Sequence, residues 1–127
     1  MAAKERRLYA NPHRIPEGTS GFHIEPQRYI IGWPDGVVKI GLTWNGKRRW
    51  GMFVGKGGCL LDLATYASKH DALAAEQWLH CEVSGIYPPA FGAKDQSALH
   101  LGKAGGWTEC YRITVEQWPS LLKIARA

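Results

Sequence analysis

Two β-rich runs closed by a proline–aspartate–glycine turn constrain this chain more than any other feature. Arg28-Tyr29-Ile30-Ile31-Gly32-Trp33 leads into Pro34-Asp35-Gly36, and Val37-Val38-Lys39-Ile40-Gly41-Leu42-Thr43 follows. Proline presets φ and glycine takes positive φ without strain, so the two runs are predicted to fold back as an antiparallel hairpin. Side chains alternate along a strand, so Lys39 points away from Val38 and Ile40 and shares a side with Gly41. Tyr29, on the partner strand, falls near Lys39 across the hairpin. A lysine beside a tyrosine favours the phenolate, because the opposite charge stabilises the ionised form. The ordinary alternative is an exposed cross-strand pair.

The remaining elements follow from punctuation and periodicity. Residues 1–26 carry Pro12, Pro16, Gly18, Gly21 and Pro26 and read as an irregular basic arm, with the domain proper over 27–127. Asn45 is a candidate cap for a short helix through Lys47-Arg48-Arg49-Trp50. Cys59 to Ala67 reads as a third strand. Ser68 stands at an N-cap position with Asp71 in the first turn, and Lys69 to Val83 is the strongest helix in the chain. Residues 85–107, rich in glycine and proline, read as a long loop. Thr108 to Ile113 is a short strand. Thr114 and Gln117 have capping-box spacing and open a terminal helix containing Leu121, Leu122 and Ile124. The resulting order is β-β-α-β-α-β-α, an α+β domain with helices on a small mixed sheet.

The helix over 69–83 holds a polar residue where an apolar one is expected. With Ala72 set at zero, Ala75, Leu79 and Val83 fall within about 60° and define a buried stripe, and Glu76 falls at about 40°, inside it. A carboxylate there must be paired, protonated or bound to a metal, since an isolated buried charge is costly. A glutamate at the stripe edge reaching water or an arginine is the alternative. His80 follows Glu76 at i+4 on the same side. Lys47-Arg48-Arg49 forms a basic cluster near a helix start. The planar fork of arginine fits phosphate oxygens, while a solvated basic face is the plain reading.

Charge and composition limit the partners. The 127 residues carry a formal net charge of +5, and the sequence pI is about 9.3, which fits a polyanion. No apolar run approaches the roughly 18 residues of a membrane helix, and the first residues hold no apolar signal segment, so a cytoplasmic location and no membrane partner are expected. Cys59, Cys81 and Cys110 are odd in number and lack zinc-motif spacing, which suits reduced thiols.

Together these residues resemble the GIY-YIG nuclease superfamily over roughly residues 27–125. Gln27-Arg28-Tyr29 stands at the first motif and Lys39-Ile40-Gly41 at the second, Arg49 lies eight residues after Gly41, and Glu76 follows on a helix. Val38-Lys39-Ile40-Gly41-Leu42-Thr43, Glu76 to His80 and Thr108-Glu109-Cys110-Tyr111 are similar to the bacteriophage-type DNA-binding-domain branch. Lys39 replaces the family's second tyrosine, Phe53 stands where many members have histidine or tyrosine, and the asparagine that often follows the metal glutamate has no counterpart. Gly85-Ile86-Tyr87 spells the family name, yet Pro88-Pro89 follows and cannot continue a central strand.

The resemblance implies a metal-dependent endonuclease acting on DNA in a bacterial or bacteriophage setting. Tyr29 would be the general base, with Lys39 lowering its pKa. Arg49 would stabilise charge on the phosphate, and Glu76 would hold Mg²⁺ or Mn²⁺. Lys47, Arg48 and His80 would contact the nucleic acid. A non-catalytic DNA-binding module on the same fold is the alternative, and a protein–protein adaptor using exposed tryptophans the third. Few base-reading elements fit in one domain of this size, so weak specificity or a homodimer is compatible with either nucleic-acid reading.

Overall fold

The computed structural model describes residues 14–15, 25–44 and 46–127. Most of the basic arm over 1–26, and the candidate cap Asn45, lie outside the described residues. Within the arm, Arg14–Ile15 forms a two-residue strand, β1, rather than irregular chain.

The hairpin forms as the sequence requires. Strand β2 runs Gln27–Trp33 and β3 runs Val37–Thr43, paired from Gln27↔Thr43 to Trp33↔Val37. Gly36 takes φ 97° and donates its N–H to the Trp33 carbonyl at 3.0 Å. Helix α1 (Lys47–Val54) follows, with Gly46 at its N-cap. Strand β4 (Cys59–Tyr66) returns beside β2. Helix α2 (Lys69–Ser84) starts where expected, the Ser68 hydroxyl accepting from the Asp71 N–H at 3.1 Å.

The segment 85–107 is mostly loop, as expected, but contains a 3₁₀ turn at Lys94–Ser97 and the one-turn helix α3 (Ala98–Leu101). Strand β5 is short, Cys110–Arg112. The Thr114–Gln117 capping box is present and closes a 3₁₀ turn that leads into helix α4 (Trp118–Ala125). The fold is therefore α+β.

The sheet order is β1-β4-β2-β3-β5, and every pairing is antiparallel. It is thus not the mixed sheet expected from the sequence. The β3–α1–β4 connection crosses β2, so β3 and β4 run in the same direction on either side of β2, and their outer edges pair with β5 and β1.

Alternation divides the core. Tyr29, Ile31, Trp33 and Val37 pack with Phe53 of α1 and Leu101 of α3 on one side. Ile30, Val38 and Ile40 pack with Leu79 and Val83 of α2 and Leu121 of α4 on the other. The α2 stripe is the expected one: Ala72, Ala75, Glu76, Leu79 and Val83 are its buried residues. A buried ion pair ties the sheet centre, Arg28 donating to Asp62 at 2.9 Å, and Arg126 donates to the other Asp62 oxygen at 3.1 Å. No helix among the described residues is long and apolar enough to cross a membrane.

Candidate metal and phosphate site

Lys39 is the most unusual residue in the fold: its exposure is 0%, in the middle of a strand. Its side chain lies on the α1 side of the sheet, where the ammonium stands 5.4 Å from the Tyr29 ring centroid and 5.5 Å from that of Phe53. Both distances are within cation–π range. Nζ donates to Glu109 Oε1 at 2.8 Å. Burial works against the charge, but the electrostatic pull of Tyr29, then of Glu109, outweighs it and raises the Lys39 pKa above its ordinary 10.5.

Two glycines make room for this arrangement. Tyr29 pairs directly with Gly41, not with Lys39. A Cβ on Gly41 would collide with the Tyr29 hydroxyl and reach 3.0 Å from Lys39 Nζ. Gly106, at φ 100°, closes over the same ammonium, and a Cβ there would stand 2.6 Å from Nζ. The phenol and the ammonium therefore share the space above Gly41, as the alternation of the strands predicts.

Helix α1 brings arginine to the same side. Arg49 is half-buried, its guanidinium carbon 5.5 Å from the Phe53 ring centroid, while Lys47 and Arg48 are exposed. Phe53 is thus a fully buried platform touched by Tyr29, Lys39 and Arg49.

A second cluster gathers where β5 leaves the edge of β3. Their pairing stops at Lys39↔Cys110, and Glu109 stands just before it. Helix α2, on the opposite side of the sheet, presents Glu76 and His80. One ligand-type atom from each of Glu76, His80 and Glu109 lies within 4.8 Å of the others. Glu76 is buried, and His80 Nε2 stands 3.6 Å from its Oε2. His80 Nδ1 shares a 2.5 Å hydrogen bond with the Tyr111 hydroxyl. His80 Nε2 is buried and has no hydrogen-bond partner. Burial, followed by the charge of Glu109, pushes the Tyr111 pKa up to about 12, so this group is a neutral phenol at ordinary pH.

Glu109 connects the two clusters, with one oxygen on Lys39 and the carboxylate beside Glu76 and His80. Sequence reading places Glu109 in a Thr-Glu-aromatic pattern but gives it no role. Its place depends on a β3–β5 register that local pattern does not specify. His80, expected at the nucleic acid, stands against Glu76 and Tyr111. Gly85-Ile86-Tyr87 is turn and loop, with Tyr87 in the core.

An imidazole and two carboxylates are a donor set suited to a divalent cation, and the Arg49 guanidinium against Phe53 is a group suited to a phosphate. No protein family, curated protein or solved structure matches the chain.

Proposed function

We propose that this domain is a cytoplasmic GIY-YIG-type endonuclease that hydrolyses phosphodiester bonds in DNA with the help of a divalent cation. The observation that supports this reading is a pair of adjoining clusters: Tyr29, Lys39 and Arg49 gather around Phe53, and Glu109 links Lys39 to the buried Glu76. In the reaction, a water oxygen bonds to phosphorus and the bond from phosphorus to the leaving sugar oxygen breaks. Tyr29 takes the proton of the attacking water, and the leaving oxygen receives one from solvent. Lys39 holds the Tyr29 ring and its charge environment in place. Arg49 stabilises the charge that builds on the phosphate oxygens. Lys47 and Arg48 grip the flanking backbone, where they contribute affinity but no sequence reading. Glu76 would hold Mg²⁺ or Mn²⁺, which supplies charge neutralisation at the scissile phosphate.

The test is divalent-cation-dependent cleavage of single- and double-stranded DNA by wild type and Glu76→Ala. Equal rates for the two proteins sink the catalytic reading.

A binding module without turnover is the second reading, and one observation favours it. Tyr29 exposes 1% of its surface and Lys39 none, so neither meets solvent in this conformation. A binding module would show salt-dependent affinity for DNA, with a slope that counts the phosphates engaged, and no product with any divalent cation.

A further inference from the structure

The three groups at the β5 end of the sheet are arranged for a particular kind of cation. We propose that Glu76, His80 and Glu109 form a three-ligand site for a first-row transition-metal dication, such as Mn²⁺ or Zn²⁺, with Tyr111 orienting the imidazole. This deepens the nuclease reading in naming the cation, and rests on it only for the use to which the cation is put.

The imidazole supplies the first reason. If Tyr111 O–H donates to Nδ1, the Nε2–H faces Glu76 Oε2 at 3.6 Å, too far for a hydrogen bond. If Nδ1–H donates to Tyr111, a bare Nε2 lone pair faces the same carboxylate. Either tautomer leaves a buried nitrogen unsatisfied, and such groups are rare in folded proteins. A cation between Nε2 and the carboxylates satisfies it in the second tautomer. A ligating histidine whose other ring N–H is held by an oxygen is the usual arrangement at metal sites.

Glu76 supplies the second. Its side chain is 9% exposed, and among the described residues its ion-pair partner is the His80 imidazole. A buried carboxylate with so little compensation is costly, and a dication removes that cost. Ligand atoms around a dication at bond lengths of roughly 2.1 Å lie about 3 to 4.2 Å apart. The 3.6 Å between His80 and Glu76 falls within that range, and the 4.8 Å limit on the whole group leaves Glu109 a small side-chain rotation to close.

The donor set decides the class of metal. Mg²⁺ favours oxygen ligands and keeps most of its waters, whereas imidazole nitrogen suits Zn²⁺ and Fe²⁺, and Mn²⁺, the weakest binder of that row, draws mainly on the two carboxylates. Lys39 acts against the site, because its ammonium holds Glu109 Oε1 at 2.8 Å and repels a second cation. Affinity is therefore tempered, and removing the ammonium strengthens it.

The experiment measures metal binding directly, by titration calorimetry with Mn²⁺ and by pulsed EPR of the Mn²⁺-loaded wild-type protein. The expected result is one Mn²⁺ per chain with ¹⁴N coupling from a directly bound imidazole, and Mg²⁺ competing only at about 100-fold higher concentration. Glu109→Gln and His80→Asn should each weaken Mn²⁺ binding tenfold or more. Tyr111→Phe should weaken it about tenfold with the fold intact, and Lys39→Met should tighten it. Absence of ¹⁴N coupling in the wild-type protein overturns the proposal whatever the variants do, as does equal affinity for Mg²⁺. Binding of this kind without DNA cleavage leaves the site standing and removes the nuclease. Mg²⁺-driven cleavage without ¹⁴N coupling does the reverse.

Discussion

Lys39 Nζ and Glu109 Oε1 stand 2.8 Å apart, the ammonium wholly buried and the carboxylate about one-third exposed. The two partners are therefore not equivalent. Glu109→Gln leaves a charged lysine buried without a counter-charge and should cost about 2 kcal/mol, less than the roughly 3–5 kcal/mol of a fully buried pair because Glu109 is about one-third exposed. Lys39→Met replaces the ammonium with an apolar chain of similar length, and its partner carboxylate can hydrate. It should cost less than Glu109→Gln, and the double variant should recover stability relative to Glu109→Gln alone. Denaturant unfolding of the four proteins in chelator closes the cycle. A double variant less stable than Glu109→Gln would show that the pair does not account for the burial of Lys39.

Gly41→Ala tests the packing above β3. The added methyl meets the Tyr29 hydroxyl and Lys39 Nζ at once, and the Tyr29 ring is buried on all sides. Overpacking of this kind costs about 1–3 kcal/mol. The Tyr29 hydroxyl should also move, so any cleavage activity should fall further than the stability loss accounts for. Thermal unfolding and single-turnover rates measured on the same preparation separate the two effects. Unchanged stability would mean that Tyr29 has room to spare.

The two neighbouring arginines of α1 should differ in kind. Arg49 faces the Phe53 platform and Arg48 faces solvent. Successive helical residues diverge by about 100°, so only one of the two serves the sheet side. Arg49→Ala should lower single-turnover cleavage by roughly a hundredfold or more. Arg48→Ala should mainly raise the apparent Kd for DNA. The opposite pattern would reassign the motif by one residue, and two silent variants would remove the cluster from catalysis.

Alkaline pH should unfold the protein through the groups beneath β5. Burial pushes the Cys110 thiol from 9.0 up to about 12, with Lys39 pulling it down and Glu109 pushing it up. In the folded state Cys110 therefore keeps its proton while the unfolded chain loses it. A raised pKa of this kind contributes stability that is fully present below pH 9 and declines as the pH climbs toward about 12. Tyr111, raised from 10.0 to about 12, and Lys39, raised above 10.5, act with the same sign higher in that window. Stability should fall by up to ~1.4 kcal/mol per pH unit for each group released. Denaturant midpoints across pH 8–11 give the slope, and Cys110→Ala should flatten its onset. A wild-type midpoint that stays level to pH 11 contradicts the burial of these groups.

Much of this architecture is legible locally. The Pro34-Asp35-Gly36 turn, the Ser68 cap and the Thr114–Gln117 box each act within a few residues, so their signals survive in the sequence and the elements appear where expected. Glu76 shows itself by breaking an apolar period. Glu109 does not, because its partner lies 70 positions away and the β5 register that delivers it is set by tertiary packing. The core position of Leu101, inside a glycine-rich loop, is hidden for a different reason: a single helical turn has too few residues to show periodicity. Asn45, read as a cap, lies outside the described residues, and Gly46 occupies the N-cap position.

The lateness of Glu109 in the chain also governs the order in which the molecule takes shape. The β2–β3 hairpin closes through contacts a few residues apart, which form fast, whereas β5 must cross most of the domain to reach its edge. Until it arrives, Lys39 has no carboxylate, and the centre of the hairpin cannot stay dry. The last strand thus acts as the keystone of the assembly: the hairpin can close early, but the buried Lys39 gains its carboxylate only when the final third of the chain locks against it.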